Sequence, residues 1–351
     1  MEKVLIIQEI IPHYRIPLFA EIAKDKNIQL SVAYDNVNKY NREAYSQLDI
    51  IPYHKKKIGK YTYVKNIKQL IKGYDQIIVI GNLFWLPTFI ILFLFKRKSK
   101  LFFWGIGISS SSGLHKKTIH DKIRFLLSDL SNGTILYSKK VYEYYVKNVR
   151  KKNQIFVAPN TLYVEEFPFP EANRTKILSI GSFKKNKNLG QLIIAFKNII
   201  NQIPENITLD FIGDGEENKK LKDLVSEFGL QKRITFWGRM EDNHHIFPII
   251  SKSMVSVSPN QAGLSVLHSM AFGCPFLTSE NAITGGEIFN IENNITGYLY
   301  DGTLKDLESK LLWIINNPEL NMKIARKGYD FYHKNRSISQ IANVFFRILH
   351  G

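Results

Sequence analysis

The chain has 351 residues, 44% of them hydrophobic, and a formal net charge of +17. That is enough chain for about two to three domains with full apolar cores, and the single cysteine, Cys274, excludes an intrachain disulfide framework. The opening MEKVLIIQEIIPHYR carries acids where a secretory leader is basic, so a cytoplasmic protein is expected.

In chain order, residues 4–7 read as a short apolar strand, then a loop over 10–17, a helical stretch over 18–24 and a strand over 28–33. Residues 51–60 are polar and basic and read as a surface loop. The apolar run 77–95 reaches the length of a membrane span, but Gly81, Asn82 and Pro87 interrupt it. It resolves into a strand over 77–80 and a helix over 84–95 with Pro87 in its first turn, closed by Lys96-Arg97-Lys98, before a strand over 101–104. A helix lying in a membrane interface and a true span are the alternatives. Helix 120–130, strand 133–137, helix 140–147 and strand 155–158 continue the alternation. Strands separated by helices indicate a parallel sheet covered on both faces.

Residues 159–174 hold Pro159, Pro168 and Pro170 with little periodicity and read as an interdomain linker. The alternation restarts with strand 177–180, helix 189–200, strand 207–212, helix 216–228 and strand 234–237. Strand 254–257, helix 265–272 and strand 275–278 follow, then helical segments over 304–312, 318–333 and 337–349. One α/β unit thus occurs twice, and ligands of such sheets bind outside the carboxyl ends of the strands.

Charge is unevenly placed. Residues 1–165 hold 27 Lys/Arg against 12 Asp/Glu, whereas 166–351 hold 21 against 19. Runs at Lys55-Lys56-Lys57, residues 96–100, Lys116-Lys117 and Lys151-Lys152 concentrate the excess in the first half. A basic face implies an anionic partner, nucleic acid or anionic membrane, unless the lysines serve only solvation.

Neither half contains a GxGxxG or GxxxxGK[ST] loop, and no cysteine–histidine spacing suits zinc. Four loops do sit where strands of the second half end. Gly181-Ser182-Phe183-Lys184-Lys185-Asn186-Lys187 offers amides and lysines to a diphosphate. Gly213-Asp214-Gly215 follows the next strand, and Pro259-Asn260-Gln261-Ala262-Gly263-Leu264 leads into a helix, where Gly263 lets backbone approach a phosphate. Thr284-Gly285-Gly286-Glu287 is a mobile glycine turn ending in an acid.

Together with residues 211–224, 234–240 and 295–299, these loops resemble the large retaining glycosyltransferase family of GT-B fold (family 4, group 1). The resemblance implies an α/β fold of two Rossmann-like, doubly wound parallel sheets facing a central cleft. Residues 1–165, joined by the C-terminal helix 337–351, would bind the acceptor, and 166–336 the nucleotide-sugar donor. Lys187 matches the family lysine that contacts the donor diphosphate; Ser182 stands where the family has arginine, and Lys184 is at hand to supply that charge. Asn260 and His268 occupy the places of the family's two glutamates, of which the first grips the transferred sugar and the second the ribose. An amide and an imidazole can still hydrogen-bond both. The expected donor set is therefore Ser182, Lys184, Lys187, Gly263, Leu264, His268, Gly285, Gly286 and Glu287, with Asn260 orienting the sugar. On the first domain, Pro12-His13-Tyr14-Arg15-Ile16-Pro17 resembles a P-x-Y-R-x-P stretch of the same subgroup. Arg15 would suit an acceptor phosphate and His13 a proton, while Ile106 stands where related chains have histidine.

The resemblance implies transfer of a sugar from a UDP or GDP sugar, with no other cofactor and no metal, to a saccharide acceptor, lipid-linked, in bacterial capsule, polysaccharide or lipopolysaccharide synthesis. Retention is expected; inversion would need His13 or Glu9 as base. An anionic membrane surface at the inner face of the plasma membrane then accounts for the basic half, and nucleic acid is not the expected partner. The other readings are an inactive scaffold, motivated by Asn260 and His268, a nucleotide-sugar epimerase and a nucleic-acid-binding protein. Base, sugar, linkage and oligomeric state stay open.

Overall fold

The computed structural model describes residues 1–35, 48–96, 98–109, 118–171 and 173–351. Arg97, Lys116 and Lys117 of the basic runs lie outside the described residues. Two compact units form, Met1–Tyr163 with Ser337–Gly351, and Val164–Arg336.

The first unit opens with β1 (Glu2–Ile7), α1 (Ile16–Ala23), β2 (Ile28–Asp35) and β3 (Asp49–Tyr53). A hairpin of β4 (Lys55–Ile58) and β5 (Tyr61–Val64) follows, then α2 (Ile67–Leu70), β6 (Gln76–Ile80) and α3 (Leu86–Phe95). It closes with β7 (Lys100–Gly105), α4 (Ile119–Leu130), β8 (Gly133–Leu136), α5 (Lys139–Val146) and β9 (Ile155–Val157). Seven of the strands form one sheet in the order β3-β2-β1-β6-β7-β8-β9, all parallel. Continuous apolar runs such as Val4–Ile7 are fully buried because helices cover both faces. Phe89 and Leu92 of α3 and Leu127 of α4 pack on one face, Leu18, Phe19 and Ile22 of α1 on the other.

The run 77–95 is thus strand, turn and helix. Among the described residues no helix is long and apolar enough to cross a membrane. Residues 51–60, expected as a surface loop, belong instead to β3 and the β4–β5 hairpin, where Lys55 pairs with Val64 and Lys57 with Thr62. The lysine run hides the alternation; the inward residues Thr62 and Val64 are on the return strand, and Val64 N donates to Thr88 Oγ1 of α3 at 3.1 Å.

The second unit contains β10 (Lys176–Ile180), α6 (Leu189–Ile199), β11 (Thr208–Ile212), α7 (Asn218–Glu227), β12 (Ile234–Gly238) and α8 (Asn243–Ile250). Then come β13 (Ser253–Val257), β14 (Gln261–Ala262), α9 (Ser265–Ala271), β15 (Phe276–Ser279), β16 (Ile283–Thr284), β17 (Tyr298–Tyr300), α10 (Leu304–Asn316) and α11 (Pro318–Asn335). Its six-stranded parallel sheet runs β12-β11-β10-β13-β15-β17. The segment expected as a linker is packed against this unit from Val164 on. Phe167 stacks on Phe247 at 4.3 Å, Phe169 meets Tyr329 at 5.5 Å, and Arg174 Nη1 donates to Gly273 O at 2.7 Å. Prolines exclude helix here, but alternating phenylalanines still bury.

The last helix, α12 (Ile338–His350), returns to the first unit. Phe345 packs edge-on against Trp104 at 5.0 Å, and Gln76 Nε2 donates to Leu349 O at 2.6 Å.

Candidate donor site

The carboxyl ends of β10 and β11 approach unusually closely. Gly181 N donates to Ile212 O and Gly213 N to Gly238 O, each at 2.8 Å, which carries the ladder past the strand ends. Gly213 has φ 141°, and a Cβ there would stand 1.9 Å from Gly181 O, so only glycine fits. Phe183 is buried under this crossing, and its N donates to Asp214 O at 2.8 Å. Ser182 and Lys184 on either side are exposed. The chain then makes one turn, Lys185–Lys187, tied by Lys185 N to Glu216 Oε1 at 3.0 Å, and Asn188 with φ 53° opens α6.

Lys187 ends that turn with only 7% of its surface exposed. Its Nζ lies 3.5 Å from Ile180 O, and a Cβ on Gly181 would come within 2.7 Å of it. Glycine therefore keeps a place for the ammonium over the strand end. Burial pushes the Lys187 pKa down to about 8, and the nearby Lys184 charge adds to that. A desolvated ammonium held by one distant carbonyl is stabilised by an arriving anion.

Asn260 is fastened to the same turn. Its N donates to Lys187 O at 3.3 Å and its Nδ2 to Asn186 O at 3.1 Å. Ile283 N donates to Asn260 O at 2.9 Å, and β14 pairs with β16. These bonds gather Lys187, Asn260 and the glycine turn at one edge of the sheet. That turn is pinned, with Gly286 N and Ile288 N both donating to Thr284 Oγ1 at 3.0 and 3.2 Å. Glu287 is buried, its carboxylate 2.9 Å from where a Cβ on Gly285 would lie.

Gly263 and Leu264 precede α9 and are half-buried. A Cβ on Gly263 would meet nothing within 4 Å, so open space, not strain, lies in front of it. His268 faces a different neighbour: its Nε2 lies 3.4 Å from Asn243 Oδ1 of α8, and its ring meets Phe272 at 4.9 Å. Burial lowers its pKa to about 4, so the imidazole is neutral at physiological pH. Sequence reading missed Asn243 and the Asn186 carbonyl, because neither has a local signature; each acquires its place from a residue 25 or 74 positions away.

On the first unit, His13 is exposed in a one-turn helix, His13–Arg15. Arg15, expected at an acceptor phosphate, is engaged within the first unit. It is buried, donates to Gln8 Oε1, to Tyr137 Oη at 2.5 Å and to Asn160 Oδ1 at 3.4 Å, and stacks 4.3 Å over Trp104. An apolar indole and neutral acceptors spread over the sheet's carboxyl edge capture the planar guanidinium. Arg15→Ala is therefore expected to cost the first unit roughly 2–4 kcal/mol through unsatisfied buried groups and lost packing, read as a lower urea midpoint for that unit's transition. Unchanged stability with weakened acceptor affinity would return Arg15 to the acceptor. Glu9 carries Lys55 at 2.6 Å, which also bridges the buried Asp35 at 2.9 Å. A cavity of about 640 Å³ opens at the ends of β6 and β7, lined by Gly81, Phe84, Ile106, His120, Arg124 and Tyr137 among others.

Residues 164–331 match the family model described as glycosyl transferases group 1. That match falls on the second unit. Among curated relatives, N-acetyl-alpha-D-glucosaminyl L-malate synthase of Bacillus anthracis is 23% identical over 210 residues, 58% of this chain and 53% of that protein. The chain thus spans about half the length of that relative. Among solved structures, Anabaena HepE in complex with UDP superposes with a TM-score of 0.73 at 15% identity, covering 100% of both chains. The lipopolysaccharide outer core galactosyltransferase WaaB, in its apo form, gives a TM-score of 0.73 at 14% identity over 100% of this chain and 99% of that one. The two parallel α/β sheets are thus those of the GT-B fold, as the sequence motifs imply.

Proposed function

We propose that the chain transfers a sugar from a nucleotide diphosphate sugar, of UDP or GDP type, to a lipid-linked saccharide acceptor in bacterial cell-surface polysaccharide or lipopolysaccharide synthesis. The observation that carries this reading is the buried Lys187, bonded through its turn to Asn260 at the carboxyl edge of the second unit's sheet. The UDP complex of HepE and the lipopolysaccharide outer core role of WaaB support the donor and pathway class.

In this reading the Lys187 ammonium meets the donor diphosphate, with exposed Lys184 adding charge from the loop and Ser182 lining it. Asn260 orients the transferred sugar, and the amides of Gly263-Leu264 and Gly285-Gly286 border the phosphate and sugar. Glu287, buried behind the glycine turn, contacts the sugar or ribose, and neutral His268 with Asn243 faces the ribose. The bond from the anomeric carbon to the leaving phosphate oxygen breaks with its electron pair going to the diphosphate. The acceptor oxygen bonds to the same carbon from the same face, and its proton passes to the departing phosphate oxygen. No enzyme nucleophile is needed, and Lys187 stabilises the charge that grows on the leaving group. The exposed His13 is assigned to the acceptor hydroxyl on the first unit; Glu9 is ion-paired with Lys55.

A panel of UDP-, GDP-, dTDP- and CMP-sugars, measured by thermal shift, tests this. One nucleotide class is expected to stabilise the protein by about 2.7 kcal/mol at a hundredfold excess over Kd, and release of that nucleoside diphosphate should require acceptor. Stabilisation by none of them sinks the reading. Turnover without acceptor would instead favour an epimerase, and binding without any turnover a scaffold.

A further inference from the structure

The helices α3 and α4 follow the successive strands β6 and β7 in the same direction across the sheet, so right-handed crossovers place both on one face. Phe89, Leu92 and Leu127 meet in the core beneath them. Their outer sides would ordinarily be polar. Instead Ile90 and Leu94 of α3 are 54% and 70% exposed, and Ile119, Leu126 and Leu130 of α4 are 64%, 59% and 54% exposed. Spacings of four and seven residues align each set into a stripe. Lysines rim these stripes. Lys56 and Lys57 project from the hairpin packed beside α3, Lys68 Nζ sits 3.5 Å over the Phe95 ring, and Lys122 is exposed within the α4 stripe. Residues 51–152 hold 21 Lys/Arg against 4 Asp/Glu.

We infer that the outer face of α3 and α4 is a docking surface for an anionic phospholipid bilayer. Aliphatic side chains enter the headgroup boundary while the lysines meet lipid charge. Nucleic acid would match the charge but not the aliphatic stripe, and a second copy of this basic face would repel the first. Phe84, 53% exposed in the turn Leu83–Trp85 before α3, also lines the cavity at the ends of β6 and β7. A lipid-linked acceptor would then reach that cavity from the bilayer; this last step rests on the proposed function, whereas docking itself does not.

Sedimentation with phosphatidylcholine vesicles, with and without phosphatidylglycerol, tests the surface without any sugar donor. The protein is expected to pellet with anionic vesicles only, and the partition coefficient to fall roughly tenfold or more in Leu94→Glu/Leu126→Glu. Both positions are exposed and outside the donor set, so stabilisation by sugar nucleotide should persist in that variant. Leu94→Cys carrying a polarity-sensitive dye should brighten on anionic vesicles, because Cys274 is buried and leaves one labelling site. Equal binding to neutral vesicles would overturn the charge complementarity. Vesicle binding unaffected by the double variant, or lipid-free self-association that the variant abolishes, would overturn the assignment. Loss of donor stabilisation with docking intact counts against the proposed function alone.

Discussion

Replacing Lys187 by alanine is expected to lower kcat/KM for sugar transfer by about 10²–10³-fold, the scale of one donor aimed at developing charge in a water-poor site. The fold should survive. The lysine pKa is depressed by burial to about 8, so holding the ammonium charged at neutral pH costs the folded chain stability, and deleting it removes that cost. Activity loss with an unchanged or higher Tm is the signature. The same depression sets a pH dependence. In the free protein the ammonium is lost as pH rises through about 8, so donor affinity and kcat/KM should decline above that point. Burial is the larger cause and Lys184 the second; Lys184→Ala should therefore move the alkaline limb to higher pH even as it weakens binding. A limb that stays in place in Lys187→Ala would show that another group titrates.

Gly213→Ala should be the most damaging small substitution in the second unit. The added methyl would stand 1.9 Å from the Gly181 carbonyl oxygen at a backbone φ of 141°. Neither can yield easily, since Gly181 N and Gly213 N both hold ladder bonds of 2.8 Å. A loss on the order of 4 kcal/mol or more is expected, from left-handed strain plus a backbone clash. It would be measured as a fallen denaturant midpoint for that unit, with loss of sugar-nucleotide stabilisation. Gly263→Ala is the control, because its methyl meets nothing within 4 Å. Stability should hold there, while donor affinity falls if the donor occupies that space. Wild-type stability in Gly213→Ala would refute the account of the strand crossing.

Local order along the chain was sufficient for much of this protein. Alternating apolar strands and amphipathic helices determine two parallel α/β units, because hydrophobic period and turn chemistry are properties of neighbouring residues. The Gly181–Lys187 loop is legible for the same reason: small residues and lysines directly follow an apolar strand. Packing decided the rest. Lysines concealed the β4–β5 hairpin, whose buried side chains lie on the return strand. Arg15 reads as a free cation until Tyr137 and Asn160, more than 120 positions away, close over it. His268 reads as a ribose ligand by position, yet only tertiary contact brings it to Asn243 and makes it neutral. Phe167 and Phe169 turn an apparent linker into part of the second unit. The type of each element is set by residues within a few positions, whereas the charge state and availability of each side chain are set by desolvation and partners that only the folded chain supplies.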